Sequence, residues 1–325
     1  RSGHPGAPLG LAPAAHILWS KYLDYAPNWL NRDRFVLSCG HASALYYSLL
    51  HIHSNVVSID DIKQFRQYKS KTPGHPERHI LKEIEVTTGP LGQGITNAVG
   101  LSVASNFIAA KFNKPDIELF NNKVWVIASD GDLMEGISSE AASFAGHQRL
   151  DNLVVFYDCN HVTIDGRTDI TFTEDVAARF RAFGWETLEV KNADEDFEEI
   201  ENAINEAIAV KGKPVFIVLK TTIGYGSVMA DTSKVHGSPL NDEQLVAIKK
   251  KFGFNPDEFF KVPKEVYDHY AKVSERTAKK VDEWNLKYAE YQKKYPDDFK
   301  LLKSLIEGNF RYEDFDKFMP KVDEV

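Results

Sequence analysis

Val124-Trp125-Val126-Ile127-Ala128-Ser129-Asp130-Gly131 and, beginning at residue 153, Leu153-Val154-Val155-Phe156-Tyr157-Asp158-Cys159-Asn160 are the two stretches on which the fold turns. Each is a short apolar run rich in β-branched residues that ends abruptly in polar ones, the pattern of a strand buried on both faces. Val215–Leu219 repeats it, and Thr187–Val190 is a weaker fourth. Between these runs the spacing turns helical, over Ile137–His147, Glu174–Phe183 and Asp196–Val210, the last with acidic residues in its first turn. Strand alternating with helix predicts an α/β fold, a parallel sheet flanked by helices on both faces. Upstream, Pro8–Tyr22, Ala42–His51 and Gln93–Phe112 also read as helices, and Ser58 before Ile59-Asp60-Asp61 as a capped helix start. From Asn241 the text changes. Of 20 glycines, only Gly308 falls after Gly253, so tight turns give way to long charged helices, Asn241–Phe252 and a stretch from Pro263 to about Lys294. The expected organisation is an α/β domain over residues 1–240 and a C-terminal helical extension with interdomain linker over 241–325.

Composition narrows the function. The chain has 325 residues, 39 Lys+Arg against 47 Asp+Glu, and a net charge of −8. That balance argues against a nucleic-acid groove or an anionic-membrane surface, while leaving room for a small anion held by local groups. Cys39 and Cys159 are the two cysteines, too few for a disulfide scaffold or a zinc site built on cysteines. No apolar run of about 18 residues is present to span a membrane. The chain opens Arg1-Ser2-Gly3-His4, without Met or an apolar signal region, which reads as a removed start or a fragment.

The strand ends carry chemistry. Ligands of open parallel sheets lie outside the carboxyl ends of strands, so Asp130 and Asn160 are expected side by side, offering hard oxygen to Mg²⁺ or Ca²⁺ together with phosphate oxygens. Asp-Gly is equally a common turn pair, and Asp132 and Glu135 neither add to nor exclude a metal. His4, His41, His75, His147 and His236 each adjoin a glycine, where composition alone gives about one such case. His147 falls late in a helix and reads as structural. The other four lie in stiff Pro/Gly loops from which imidazoles can reach phosphate or sugar oxygens. No His-x-x-His or carboxylate spacing supports zinc. Thr87-Thr88-Gly89-Pro90-Leu91-Gly92-Gln93-Gly94 precedes an apolar helix, so its amides could cradle an anion, although it is neither a P-loop nor a dinucleotide fingerprint. Thr221–Gly226 resembles it at another strand end. Both cysteines read as small buried residues, and Tyr22, Tyr25 and Trp29 as packing.

Read together, SGHPGAPLG, NRDRFVLSCGHA, TPGHPE, EVTTGPLGQG, SDGDLMEG, the Asn160 segment, TTIGYGS and VHGSPL resemble transketolase, specifically its N-terminal thiamine-diphosphate-binding domain. In that family's cofactor signature a Gly-Asp-Gly is followed about 30 residues on by Asn; here Ser129 stands for the first Gly, and 160 − 130 = 30. The resemblance implies a metal site of Asp130, Asn160 and the Val162 carbonyl for Mg²⁺ or Ca²⁺. It implies contact with thiamine diphosphate from His41, Gly89, Pro90, Leu91, Gly131, Asn160, Ile164, Ile223 and His236. It assigns His4, His75 and His236 to the substrate's carbonyl and hydroxyl oxygens, and Glu135, with Glu140 behind it, to the catalytic Glu of a partner subunit. The implied activity is that of a cytoplasmic transferase of the pentose phosphate pathway: a two-carbon glycolaldehyde unit passes from a ketose phosphate to an aldose phosphate, in a homodimer whose pyrimidine-binding domain comes from a second subunit or chain. Dihydroxyacetone synthase, with formaldehyde as acceptor, and a non-catalytic scaffold that binds cofactor are the alternatives. In the family the Glu acting on the aminopyrimidine ring and the Arg residues gripping the sugar phosphate belong to a second domain, and Phe318-Met319-Pro320-Lys321-Val322 matches the linker to it. Residues 1–325 by themselves are therefore expected to turn over negligibly.

Overall fold

The computed structural model describes residues 2–309; the Phe318–Val322 segment read as a linker, and the end of the 241–325 extension, lie outside the described residues. In chain order the elements are α1 (Gly6–Ile17), which runs on into a π-helical turn at Leu18–Tyr22, β1 (Arg34–Leu37), α2 (Ser43–Ser54), α3 (Ile59–Lys63), α4 (Gln93–Phe112), β2 (Val124–Ser129), α5 (Asp130–Met134), α6 (Gly136–His147), β3 (Leu153–Cys159), α7 (Val176–Ala182), β4 (Glu186–Val190), α8 (Phe197–Ala209), β5 (Val215–Lys220), α9 (Asp242–Lys251), α10 (Lys264–Lys294) and α11 (Pro296–Glu307). The five strands are all parallel, in the order β1-β2-β3-β5-β4.

Strand periodicity explains why β2, β3 and β5 read as near-continuous apolar runs. Successive side chains point to opposite faces, and both faces are covered. Phe35, Leu37, Trp125, Ile127, Val154, Phe156, Val215, Ile217 and Leu219 pack into a core with residues of α1, α2, α8 and α10. The intervening Val36, Val124, Val126, Ala128, Leu153, Val155, Tyr157, Phe216 and Val218 pack into a second core with α4, α6 and α7. Caps fix the helix starts: Ser58 and Asp61 form a capping box on α3, as do Asn241 and Gln244 on α9, and Asp175 and Asp196 accept from the first-turn amides of α7 and α8.

Three elements were not foreseen from the sequence. β1 is four residues long, α5 is a single turn, and α11 begins on Pro296, just after α10 ends. The charged 31-residue α10 crosses the first face. Tyr270 and Val273 join the core beneath α1 and α2, and farther along Trp284 and Tyr291 pack with Trp29, Phe112, Leu119 and Phe120. Ser274 Oγ donates to the His53 carbonyl at 3.0 Å, Arg276 to that of Ser20 at 3.0 Å, and Trp284 Nε1 to that of Leu119 at 2.6 Å. Among the described residues, no helix is long and apolar enough to cross a membrane.

Candidate functional site

The register Ala128↔Tyr157, Ser129↔Asp158 brings the ends of β2 and β3 level, so that Asp130 emerges beside Cys159–Val162. Both carboxylate oxygens of the buried Asp130 are held: Tyr157 Oη donates to Oδ1, and the backbone amide of His161 donates to Oδ2 at 3.0 Å. Burial pushes the Asp130 carboxyl up, against the pull of these hydrogen bonds. Asn160 is equally fixed. Its Nδ2 donates to Asp158 Oδ2 at 3.0 Å, and its Oδ1 accepts from the Val162 amide at 3.0 Å. Asp158 also accepts from Thr221 Oγ1, and burial raises it to about 7. Asp130 thus lies beside the segment that carries the Asn160 amide oxygen and the Val162 carbonyl, hard-oxygen groups of the kind that suit a divalent cation that also binds phosphate.

Asp132 has a purpose the sequence left open. It is fully buried. Its Oδ1 accepts from Ser38 Oγ and from the Gly92 amide, both at 2.8 Å; its Oδ2 accepts from the Ser129 amide at 2.9 Å and from Ser129 Oγ at 3.2 Å. One carboxylate thus ties the end of β1, the glycine loop before α4 and the start of α5 into a single frame. Ser129 joins that frame through both its amide and its hydroxyl.

The glycine loops bring the histidines in. Gly40 runs so close to the next loop that a Cβ there would lie 2.8 Å from Gly89 N and from Thr88 Oγ1, and Gly89 (φ +148°) leaves room for the His75 ring, whose Cγ would be 3.3 Å from a Cβ. His4, His41 and His236 pack ring against ring, with centroids 5.4 Å apart for His4–His41, 5.9 Å for His4–His236 and 4.9 Å for the stacked His41–His236 pair. Burial first, then mutual repulsion and Arg66, lowers His4 to about 4; burial, His236, His4 and His75 lower His41 to about 3; burial also lowers His75 and His236. Each shift favours the neutral imidazole. Arg66 Nη1 donates to His4 Nδ1 at 3.3 Å, which leaves the ring proton on Nε2. His236 Nδ1 is buried with no hydrogen-bond partner in the protein, an orphaned polar atom of the kind a ligand satisfies.

The other sequence candidates fall around this cluster or at its rim. Leu91 lies over Gly131, and Ile164 lies beside Gly237 and His4. Ile223 is buried against Gly6 at the start of α1. Pro90 continues the Gly89 turn, and Glu135 and Glu140 are exposed on the segment that starts α6. The Thr221–Gly226 loop serves packing: Gly224 donates to the Gly6 carbonyl at 2.9 Å and holds α1 in place. His147 is on the surface, contrary to its reading as structural; its neighbour Gly146 is the packed residue, set directly on the Phe183 carbonyl.

Residues 1–311 match the family described as transketolase, thiamine diphosphate binding domain. This chain belongs to the transketolase family. The transketolase chain is 55% identical over 299 residues to Transketolase 1 of Saccharomyces cerevisiae, 91% of this chain and 44% of that protein. It is 50% identical over 312 residues to the chloroplastic transketolase of Zea mays, 94% of this chain and 46% of that one. Among solved structures, transketolase from Leishmania mexicana superposes with a TM-score of 0.95 at 42% identity, over 99% of this chain and 48% of that one. A Pichia stipitis transketolase in complex with sedoheptulose-7-phosphate gives 0.94 at 48% identity, over 98% and 47%. The chain spans about half the length of the curated relatives it matches. The matched half is the family's thiamine-diphosphate-binding domain, and thiamine diphosphate is its cofactor. The sequence alone did not single out Arg66, Asp132, Tyr157 and Asp158 around these strand ends and histidines. Tyr157 and Asp158 sit on β3 itself, and their positions just before Asn160 were the available signal.

Proposed function

We propose that this chain supplies the diphosphate-and-metal half of a transketolase active centre, which moves a two-carbon glycolaldehyde unit from a ketose phosphate to an aldose phosphate. The observation that carries the reading is the packing of His4, His41 and His236 ring against ring, with His75 beside the Gly89 turn that meets Gly40. In this reading Asp130, Asn160 and the Val162 carbonyl hold Mg²⁺ or Ca²⁺, and His41, Gly131 and the Gly89-Pro90-Leu91 turn receive the diphosphate, with Ile164 and Ile223 beside the cofactor. When bound, thiamine diphosphate supplies the electron sink for breaking the bond between carbons 2 and 3 of the ketose. The chain's own part is to bind, orient and handle protons. His4, with its proton fixed on Nε2 by Arg66, donates to a substrate oxygen. His75 and His236 complete the set of neutral donors and acceptors around the developing alkoxide, where low dielectric strengthens each bond. Glu135, exposed at the rim, faces a second subunit that contributes the pyrimidine-binding domain. Exposed Phe107 on α4, Phe144 on α6 and Ile164 and Ile170 after β3 support such a partner surface in a homodimer. In this reading the chain divides at residue 240, with α9, α10 and α11 as the helical extension to the 1–240 domain, and the assembled enzyme works in the cytoplasm on the pentose phosphates.

Calorimetric titration tests the reading. Thiamine diphosphate should bind the purified chain only with Mg²⁺ or Ca²⁺, and Asp130→Ala should abolish it. Adding the complementary pyrimidine-binding half should yield conversion of xylulose and ribose phosphates in a coupled assay. Metal-independent binding, or undiminished binding by Asp130→Ala, overturns the assignment.

A further inference from the structure

Asp130 has two other ligating groups beside it that the hard-oxygen site does not use. Cys159 ends β3, and His161 follows two residues later in the left-handed region (φ +59°). Cys159 Sγ lies 3.6 Å from His161 Nε2. A carboxylate oxygen of Asp130, the sulfur and an imidazole nitrogen all fall within 4.8 Å of one another. Zn–S near 2.3 Å and Zn–N or Zn–O near 2.1 Å make the edges of a tetrahedral site roughly 3.3–3.7 Å, so closing this one takes shifts of about 1 Å. The exposed His161 ring is free to make them. The fourth position opens on a cavity of about 600 Å³, lined by Tyr157, Cys159, His161 and Lys220, which gives a metal entry and a water ligand. Lys220 Nζ donates to Cys159 Sγ at 3.3 Å.

Sulfur, nitrogen and a single carboxylate form a borderline-soft set, matched to Zn²⁺ and poorly matched to Mg²⁺. We propose that Asp130, Cys159 and His161 form a binding site for Zn²⁺ or a similar borderline divalent cation, and that this site shares Asp130 with the hard-cation site, so that the two metals exclude one another. On binding, the Cys159 proton passes to solvent and the sulfur–metal bond replaces it. The sequence hid this site because Asp130 begins α5 while Cys159 and His161 lie at the end of β3, and no spacing within either motif reports it. Mutual exclusion rests on the reading of Asp130 above; binding of the soft metal does not.

Titration of the 325-residue chain with Co²⁺ in the absence of thiamine diphosphate tests the site. One equivalent should give a thiolate-to-cobalt charge-transfer band with tetrahedral d–d bands. The charge-transfer band should vanish in Cys159→Ser, the affinity should fall at least tenfold in His161→Ala, a change at an exposed side chain, and both should persist in Cys39→Ser. No band at one equivalent, a band that survives Cys159→Ser in chain of native circular dichroism, or unchanged affinity in His161→Ala overturns the proposal. In a second arm, Zn²⁺ should weaken Mg²⁺-dependent thiamine diphosphate binding at least tenfold in the native chain and not in Cys159→Ser. Equal weakening in both overturns the shared ligand. A cobalt band from a chain that binds no thiamine diphosphate would leave the soft-metal site standing and remove the cofactor reading instead.

Discussion

Replacing Asp132 with Asn removes one negative charge and changes one atom, yet the hydrogen-bond geometry makes it a severe substitution. The carboxylate accepts from four donors, Ser38 Oγ and Gly92 N on one oxygen and Ser129 N and Oγ on the other. An amide keeps one oxygen. Whichever way it turns, its NH₂ faces either the Gly92 or the Ser129 backbone amide, a donor that cannot rotate away. A buried donor without a partner costs about 1–3 kcal/mol, and the retained bonds lose their charge assistance. Relief of the buried carboxylate's desolvation, which pushes Asp132 up in the native chain, offsets part of this. The expected net loss is about 2–4 kcal/mol, which for a chain of this length lowers the thermal midpoint by roughly 3–6 °C. Ser38→Ala, measured alone and with Asp132→Asn, should be non-additive by about 1 kcal/mol or more in urea unfolding, because both changes break the same frame. A midpoint shift under about 1 °C, or coupling under about 0.5 kcal/mol, would refute the assignment of Asp132 as the strut of the site.

Gly40→Ala sets a methyl against Gly89 N and Thr88 Oγ1, so it should cost about 1–3 kcal/mol and weaken metal-dependent thiamine diphosphate binding more than tenfold; calorimetry at fixed Mg²⁺ checks this. The His41 ring is held near pKa 3, below its unfolded value of 6.5, so the unfolded chain takes up a proton that the folded chain refuses as pH falls. Its contribution is whole above pH 6.5 and lost on the way down to about 3, by roughly 1–2 kcal/mol between pH 6.5 and 5, and His41→Asn should flatten the pH dependence of urea unfolding in that window. An imidazole NMR titration placing His41 above 6 contradicts it. His53 is buried among Trp19, Tyr25 and Tyr270 with neither ring nitrogen hydrogen-bonded, so His53→Phe should raise stability by about 1 kcal/mol; an unchanged or lowered midpoint tells against that.

The sheet was legible because both-face burial writes itself as unbroken β-branched runs, and even the modest Thr187–Val190 signal marks a strand, since Glu186–Val190 pairs along β5. β1 escaped because four residues, Arg34–Leu37, carry too little pattern beside the polar Asn31-Arg32-Asp33 that precede them. The long helices came through their caps and spacing, whereas α5 is a single turn whose Asp-Gly-Asp text reads as a loop. Asp130 and Asn160 were readable from strand ends, and the histidines from their glycine frames. Arg66, Asp132 and Asp158 were not, because what defines them is a partner 62 to 94 residues away, and no local text records a donor on another strand or loop.

The reach of α10 bears on how this chain is made. Arg276 meets Ser20, and Trp284 meets Leu119, across separations of 256 and 165 residues. Synthesis at about 5–20 residues per second brings α10 out on the order of 10–50 s after the surfaces it covers. Through that interval the aromatic nest of Trp19, Tyr25 and His53 lacks the Tyr270 ring that closes it, and the Trp29–Phe120 corner lacks Trp284. The nascent chain thus presents two separate apolar surfaces to the ribosome's surroundings, and a single late helix withdraws both.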